Sequence, residues 1–260
     1  ETGEVSVVFG DNVTRIPAYL FYSNISVSNI TFGNNLRTIG EYAFYSCSIK
    51  NLLLPENLEV IEQYAFYSCD MLDLIIPNNV KIIGVSAFMY CSISRLTIGY
   101  SVTEIGKQAF YGNYNLSKIN YNAKAVKNLD QDSSVFGYIG TNSSGITLTF
   151  GDSVESIPSY LFYTQISGLT DSIIPRISEI FISGEYAFTY AQYLKNMTIG
   201  SNVSFIGFMA FHSCNRNAEV VFKNPEGWFS CATSNATSGT SIPSKIFSDP
   251  TEAAFSLHQY

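Results

Sequence analysis

Charge is scarce in this chain: Asp, Glu, Lys and Arg make up 13 % of 260 residues, and the 14 basic ones lie scattered without a basic stripe. Holding a phosphate backbone needs clustered cations, so at a net charge of −7 nucleic acid is excluded as a partner. Histidine is scarcer still. His212 and His258 are the two present, and neither stands at the spacing of a catalytic triad. The five cysteines form no CxxC pair and no Cys/His cluster, which argues against zinc. No run of about 18 apolar residues occurs, so direct membrane insertion as a helix is not expected.

The same search leaves no other chemistry. Glu41, Glu62 and Glu104 fall at turns on the outside of the chain's repeat and read as solvated surface, not as carboxylates facing each other across a glycosidase cleft. Asp130 and Asp132 in LDQDSS have no Gly or Glu following at calcium-loop spacing. The glycines sit at turns and form neither a dinucleotide fingerprint nor a P-loop. No catalytic, cofactor-binding or metal-binding residue is expected, and the chain is read as not an enzyme.

What the chain has is aromatic residues in periodic order, 19 Phe and 18 Tyr. An Ala-Phe or equivalent dipeptide places Phe21, Phe44, Phe66, Phe88, Phe110, Phe136, Phe162, Phe188 and Phe211 at steps of 22 to 26 residues. Such a period specifies a solenoid, because one coil cannot bury its apolar face and neighbours must stack to share a core. With 46 % apolar residues the core material is ample. The coils EYAFYSCSIKNLLLPENLEVI (41–61) and QYAFYSCDMLDLIIPNNVKII (63–83) share a grammar: Ala-Phe, a turn with Cys, a short strand ending at Pro, then Val or Leu and Ile. The strands alternate with period two, sending Leu52/Leu54, Leu74/Ile76 and Leu96/Ile98 inward, and equal positions on successive coils stack in parallel.

The expected architecture is one solenoid over 5–260, with about nine rungs of 22–26 residues, short parallel strands and an irregular, turn-built convex side. Residues 122–145 are more polar and read as an irregular rung around Phe136, and Gly168 to Phe181 fits the template badly. Glu1-Thr2-Gly3 has no counterpart in the repeat and reads as a remnant left by a cleaved secretion signal, so 1–4 is set aside as lead-in. About 223–260 reads as a C-terminal cap: Asp249-Pro250-Thr251-Glu252 is a capping-box start to a short helix, and Trp228 closes the last rung. GITLTFGDSVESIPSYLFY (145–163) repeats VSVVFGDNVTRIPAYLFY (5–22), so a unit of about 140 residues is copied twice, and the first rung presents an open sheet edge.

Cys47, Cys69 and Cys91 each follow their phenylalanine by three residues and read as a small buried ladder position, with a disulfide between adjacent rungs as the alternative. Cys214 and Cys231 are the candidate disulfide near the C-terminal end. Tyr42/Tyr64 precede the ladder, and Tyr22, Tyr45, Tyr67, Tyr111 and Tyr163 follow it, as structural columns that also offer contact area or a platform for sugars.

The outward sheet face reads Ser6/Val8, Asn29/Thr31, Asn51/Leu53, Asp73/Ile75, Arg95/Thr97, Lys118/Asn120, Thr147/Thr149, Asn196/Thr198 and Glu219/Val221. Most of it is short and polar. Leu53 and Ile75 are the exceptions, beside Asp73, Arg95 and Lys118, and these five form the candidate partner site. Asn-x-Ser/Thr acceptors for N-glycosylation occur at Asn12, Asn24, Asn29, Asn115, Asn142, Asn196, Asn202 and Asn235. Asn29 and Asn196 fall on that outward face, where glycan would cover a flat partner site, which fits a native host that does not N-glycosylate.

The pattern IGEYAFYSC…LLLPENLEVI, the IPAYLFY and IPSYLFY turns and the closing FKNPEGWFS…SDPTEAAF resemble the BspA-like leucine-rich repeat family of bacterial surface proteins, over nearly the whole chain from Val5. The resemblance implies a repeat without catalytic residues, an extracellular location, secreted or cell-surface anchored, and adhesion to a host protein such as a receptor or matrix component. The chain itself is expected to be a monomer. A stalk that spaces another domain from the cell and a carbohydrate-binding scaffold are the alternatives.

Overall fold

The computed structural model describes residues 4–143, 146–151, 154, 157–162, 187–188, 209–210 and 212, and the backbone of seven further strands between 169 and 241. In chain order the strands are β1 (Val5–Val8), β2 (Arg15–Ile16), β3 (Val27–Thr31), β4 (Thr38–Ile39), β5 (Val60–Ile61), β6 (Asp73–Ile75), β7 (Ile82–Ile83), β8 (Arg95–Ile98) and β9 (Glu104–Ile105). They continue as β10 (Lys118–Tyr121), β11 (Ile146–Phe150), β12 (Leu169–Ile173), β13 (Ile180–Ile182), β14 (Asn196–Ile199), β15 (Val203–Ile206), β16 (Glu219–Phe222), β17 (Phe229–Ser230) and β18 (Thr240–Ser241). No helix occurs among the described residues.

Two parallel walls are built from these strands. The first is β6-β8-β10-β11-β12-β14-β16; β1-β3 forms a separate pair, and a single bridge links its Asn29 to Asn51 of the next coil. The second is β2-β4-β5-β7-β9, two residues per coil. The inner row of the first wall is buried as alternation demands: Leu52, Leu74, Ile76, Leu96 and Ile98 are inside, and Leu54 packs half-buried against the core. β12 settles the register of the segment that fits the template badly, because it pairs in parallel with β11 and β14 across one irregularity.

The third wall is made of turns. Around Phe44, Tyr42 and Ser46 take left-handed φ values of 53° and 54°, and around Phe66, Tyr64 and Ser68 take 55° and 54°. For a residue with a Cβ this conformation costs about 1–2 kcal/mol. The cost is offset by hydrogen bonding up the stack: Tyr42, Phe44 and Ser46 donate their N–H groups to Gln63, Ala65 and Tyr67 carbonyls at 3.2, 2.9 and 2.8 Å. Every second N–H of the turn thus serves the next coil, as a strand's would.

Inside these walls the ladder rings stack. Phe21, Phe44, Phe66, Phe88, Phe110, Phe136, Phe162 and Phe188 follow one another at centroid distances of 5.0 to 5.7 Å, nearly parallel. All but Phe21 are fully buried, each worth about 1.5–3 kcal/mol in transfer free energy. Phe136 keeps its place in the column although its step is 26 residues. The ninth ring, Phe211, the helix expected from Asp249 onward and the pair Cys214/Cys231 lie outside the described residues.

The three cysteines among the described residues form a hydrogen-bonded column of free thiols, so the alternative of disulfides between rungs does not hold for them. Cys47, Cys69 and Cys91 donate Sγ–H to the carbonyls of Phe21, Phe44 and Phe66 at 3.2, 3.0 and 3.0 Å. One coil on, Asn113 takes over: its Nδ2 donates to Phe88 O at 2.9 Å and Phe110 O at 2.8 Å. The position therefore calls for a small donor, which either side chain supplies.

Candidate functional site: the outer face of the first wall

Parallel register fixes two columns on the outer face. Asp73, Arg95, Lys118 and Thr147 share one, and Ile75, Thr97, Asn120 and Thr149 the other. Ser6 and Val8 lie in line with Asn29 and Thr31 at the opposite end. The five candidate partner residues thus lie on four successive coils. Leu53 is 79 % and Ile75 62 % exposed, and Leu72, directly before Asp73 in the chain, is also 62 % exposed. Val8, in register with Thr31, is 74 % exposed.

Arg95 grips Asp73 with both arms, Nε to Oδ1 at 2.7 Å and Nη2 to Oδ2. This bidentate pair holds the Asp73 carboxyl below its ordinary range and raises the Arg95 guanidinium. Because the pair is exposed, its contribution to stability is small, and its effect is to fix the orientation of two charges beside Ile75. Lys118 follows Arg95 in register and is exposed. The first wall is interrupted between the Asn51 coil and β6, because Leu52–Leu54 form no strand, and Leu53 stands at that gap. Sequence reading did not foresee the gap, nor that Asp171 and Ile173 continue the two columns.

The third wall carries the tyrosine columns, in which Tyr19 and Tyr22 are exposed and Tyr42, Tyr45, Tyr64 and Tyr67 are half-buried. Tyr19, Tyr42 and Tyr64 stack at 5.0 and 4.7 Å, and Tyr22, Tyr45 and Tyr67 at 4.8 and 4.7 Å. Rings this close cover one another's faces and leave edges and hydroxyls outward, the opposite of what stacking on a sugar needs. Partial desolvation raises the phenols of Tyr19, Tyr42 and Tyr67, with the Glu41 carboxylate adding to it at Tyr19. The signal in sequence was the repeated position two before the phenylalanine, which holds Tyr19, Tyr42 and Tyr64.

The carboxylates at turns engage cations or amides. Glu62 binds Arg15 at 2.9 Å, Glu41 accepts from Gln63 at 2.7 Å, Glu104 meets Lys127, and Asp132 meets Lys107. Among the described residues, no group of His, Cys, Asp and Glu is arranged to hold a metal, and no helix is long and apolar enough to cross a membrane. The acceptors Asn12, Asn24, Asn29, Asn115 and Asn142 are all exposed, while Asn202 and Asn235 and His258 lie outside the described residues.

Stacked coils of one strand-turn-strand grammar around a buried ring column make this a leucine-rich-repeat-like parallel β-solenoid. A family model for the BspA type leucine rich repeat region matches in six copies, over residues 4–117, 59–140 and 132–226, and the chain belongs to that family. Solved structures similar to it include a leucine-rich repeat protein from Eubacterium ventriosum, 21 % identical with a TM-score of 0.47, covering 84 % of this chain and 60 % of that one. A leucine-rich repeat protein from Bacteroides ovatus is 21 % identical with a TM-score of 0.45, over 92 % of this chain and 70 % of its own. A leucine rich cell surface protein from Faecalibacterium prausnitzii is 19 % identical with a TM-score of 0.37, over 92 % and 83 %. The chain thus spans 60 % of the length of the first of these. No curated protein sequence matches it.

Proposed function

We propose that this chain is a non-enzymatic recognition segment of a bacterial surface or secreted protein, and that the outer face around Leu53, Asp73, Ile75, Arg95 and Lys118 contacts a host protein, a receptor or a matrix component. The observation that carries the reading is the exposure of Leu53 and Ile75, 79 % and 62 %, on a wall whose other outward residues are mainly polar. Folding gains nothing from aliphatic side chains left in water, whereas an apolar centre with oriented charges at its rim is the layout of an interface hot spot. Membership in a bacterial repeat family supports the surface location.

The test is binding of the purified chain to a panel of host surface and matrix proteins, with Leu53→Glu and Ile75→Lys combined. Loss of a hot-spot contact worth about 2 kcal/mol weakens binding about 30-fold. Ile82→Lys, on the second wall, serves as the control for a surface change off the face. Binding unchanged by the double substitution removes this face from the account.

A further inference from the structure

The tyrosines of the third wall form a continuous set of touching rings, apart from the face proposed to meet a partner. The closest contacts in its columns are Tyr42 on Tyr64 and Tyr45 on Tyr67, both at 4.7 Å between ring centres. Tyr45 and Tyr67 are also the better aligned pair, 3° from parallel against 12°. The set runs on beyond the columns: Tyr90 meets Tyr67 edge-on at 5.7 Å and Tyr111 at 5.8 Å, and Tyr111 meets Tyr138 at 5.3 Å.

The backbone fixes the stacked pair in place. On either side of the Tyr45 ring, Phe44 and Ser46 donate their N–H groups to the Ala65 and Tyr67 carbonyls at 2.9 and 2.8 Å. The two hydroxyls are neighbours, for burial first, and then the adjoining Tyr45 side chain, raise the Tyr67 phenol above its ordinary value. Tyr45 and Tyr67 are half-buried, whereas Tyr90 is 39 % and Tyr138 47 % exposed. The phenylalanine column stacks at similar distances but has no O–H. A phenol that sheds this proton as it loses an electron becomes a neutral radical, a route closed to a plain benzene ring.

We propose that the third wall is a site of oxidative coupling, at which a one-electron oxidant of the haem-peroxidase class, working with hydrogen peroxide, joins Tyr45 to Tyr67 and ties two successive coils covalently. Each phenol gives one electron to the oxidant and its O–H proton to water. The two phenoxyl radicals then pair in a carbon–carbon bond between one Cε of each ring, and the hydrogens on those carbons move to the oxygens as protons. The two electrons and two protons released reduce one peroxide to two waters. In the product the hydroxyls flank the new bond, side by side, as they already stand in the stacked pair. Holding the rings in contact replaces a chance encounter between chains. Tyr90 gives the oxidant an exposed ring from which the electron vacancy passes to Tyr67.

The experiment treats the full chain with a haem peroxidase and hydrogen peroxide. Dityrosine fluorescence should appear on single, unjoined chains, and proteolysis should release a linked pair of peptides, holding Tyr45 and Tyr67, that lacks two hydrogens. Tyr67→Phe should lower the coupling yield within the chain at least about tenfold, and so should unfolding in urea before oxidation. Tyr64→Phe, in the other column, should leave the Tyr45–Tyr67 link in place, and Tyr90→Phe should slow its formation severalfold with the product unchanged. Circular dichroism checks that each variant keeps its strands. Coupling only between chains, an equal yield of the link from folded and urea-unfolded chain, or a rate indifferent to Tyr90→Phe would each overturn the proposal.

Discussion

The coils 5–22 and 146–162 differ less in sequence than in what lies before them, so together they separate what a coil holds by itself from what its neighbour supplies. Ile16 and Ile157, on the second-wall side, are fully buried in both. Leu20 is 43 % exposed while Leu161 is fully buried, and the first-wall strand and the ladder ring follow the same rule. One interior column is therefore intrinsic to a coil, and the rest of its burial is borrowed. In such a stack, stability is a sum of weak coils and strong interfaces, and damage in one coil is felt in the next.

The largest effect expected from this comparison is at the rings. Phe162→Ala should destabilise by about 3–5 kcal/mol, as full removal of a buried ring does, and Phe21→Ala by roughly half as much, read from urea midpoints. Equal losses at the two sites would break the comparison. Next comes Tyr121, the ring that covers Phe150: its hydroxyl is buried without a hydrogen-bond partner, and burial raises its pKa. Tyr121→Phe removes that orphan while keeping the ring, and a gain of about 1–3 kcal/mol in calorimetry is expected. A loss would mean that the hydroxyl has a partner in solution.

A smaller contrast lies in the glycines. Gly151→Ala must displace Asn122 and should cost about 1 kcal/mol, whereas Gly10→Ala meets open space and should be neutral or stabilise by up to about 1 kcal/mol through the unfolded chain. The smallest effect is alkaline and belongs to the first copy, which holds the thiol column. Burial pushes Cys47 up to about 11 and Cys91 up to about 12. An unfolded thiol titrates near about 8.5, so the unfolded chain releases these protons first. Their stabilising contribution is complete below that pH and is lost as pH rises towards the folded values. Cys91→Ala should flatten the fall of stability between pH of about 9 and about 11, and an unchanged slope would place the thiols in contact with water.

Much of the fold was legible because the solenoid repeats its signals. The phenylalanine steps gave the ring column, including Phe136 in the irregular rung, and alternation gave the inward leucines and the outward pair Leu53 and Ile75. Other features were hidden for physical reasons. Left-handed turns are usually announced by glycine, but here Tyr42, Ser46, Tyr64 and Ser68 adopt them, because hydrogen bonds to the next coil outweigh the steric cost. The mutual covering of the tyrosine faces depends on ring orientation, which spacing does not encode. The gap beside Leu53 is equally silent in sequence, since Asn51–Leu54 carries the same apolar pattern as its neighbours. A candidate partner face could be read from alternation alone, but its charge geometry, with Arg95 folded onto Asp73, could not.

The measurement that bears most directly on the stacked-coil account is residue-resolved hydrogen exchange after Phe88→Ala. The Phe44, Phe66 and Phe88 amides each donate to a carbonyl in the next coil, so loss of the central ring should weaken protection at Phe66 and at Phe110 on either side and leave distant coils less affected. Protection at Phe66 and Phe110 that stays at its original level while only the mutated coil opens would contradict a shared, continuous core.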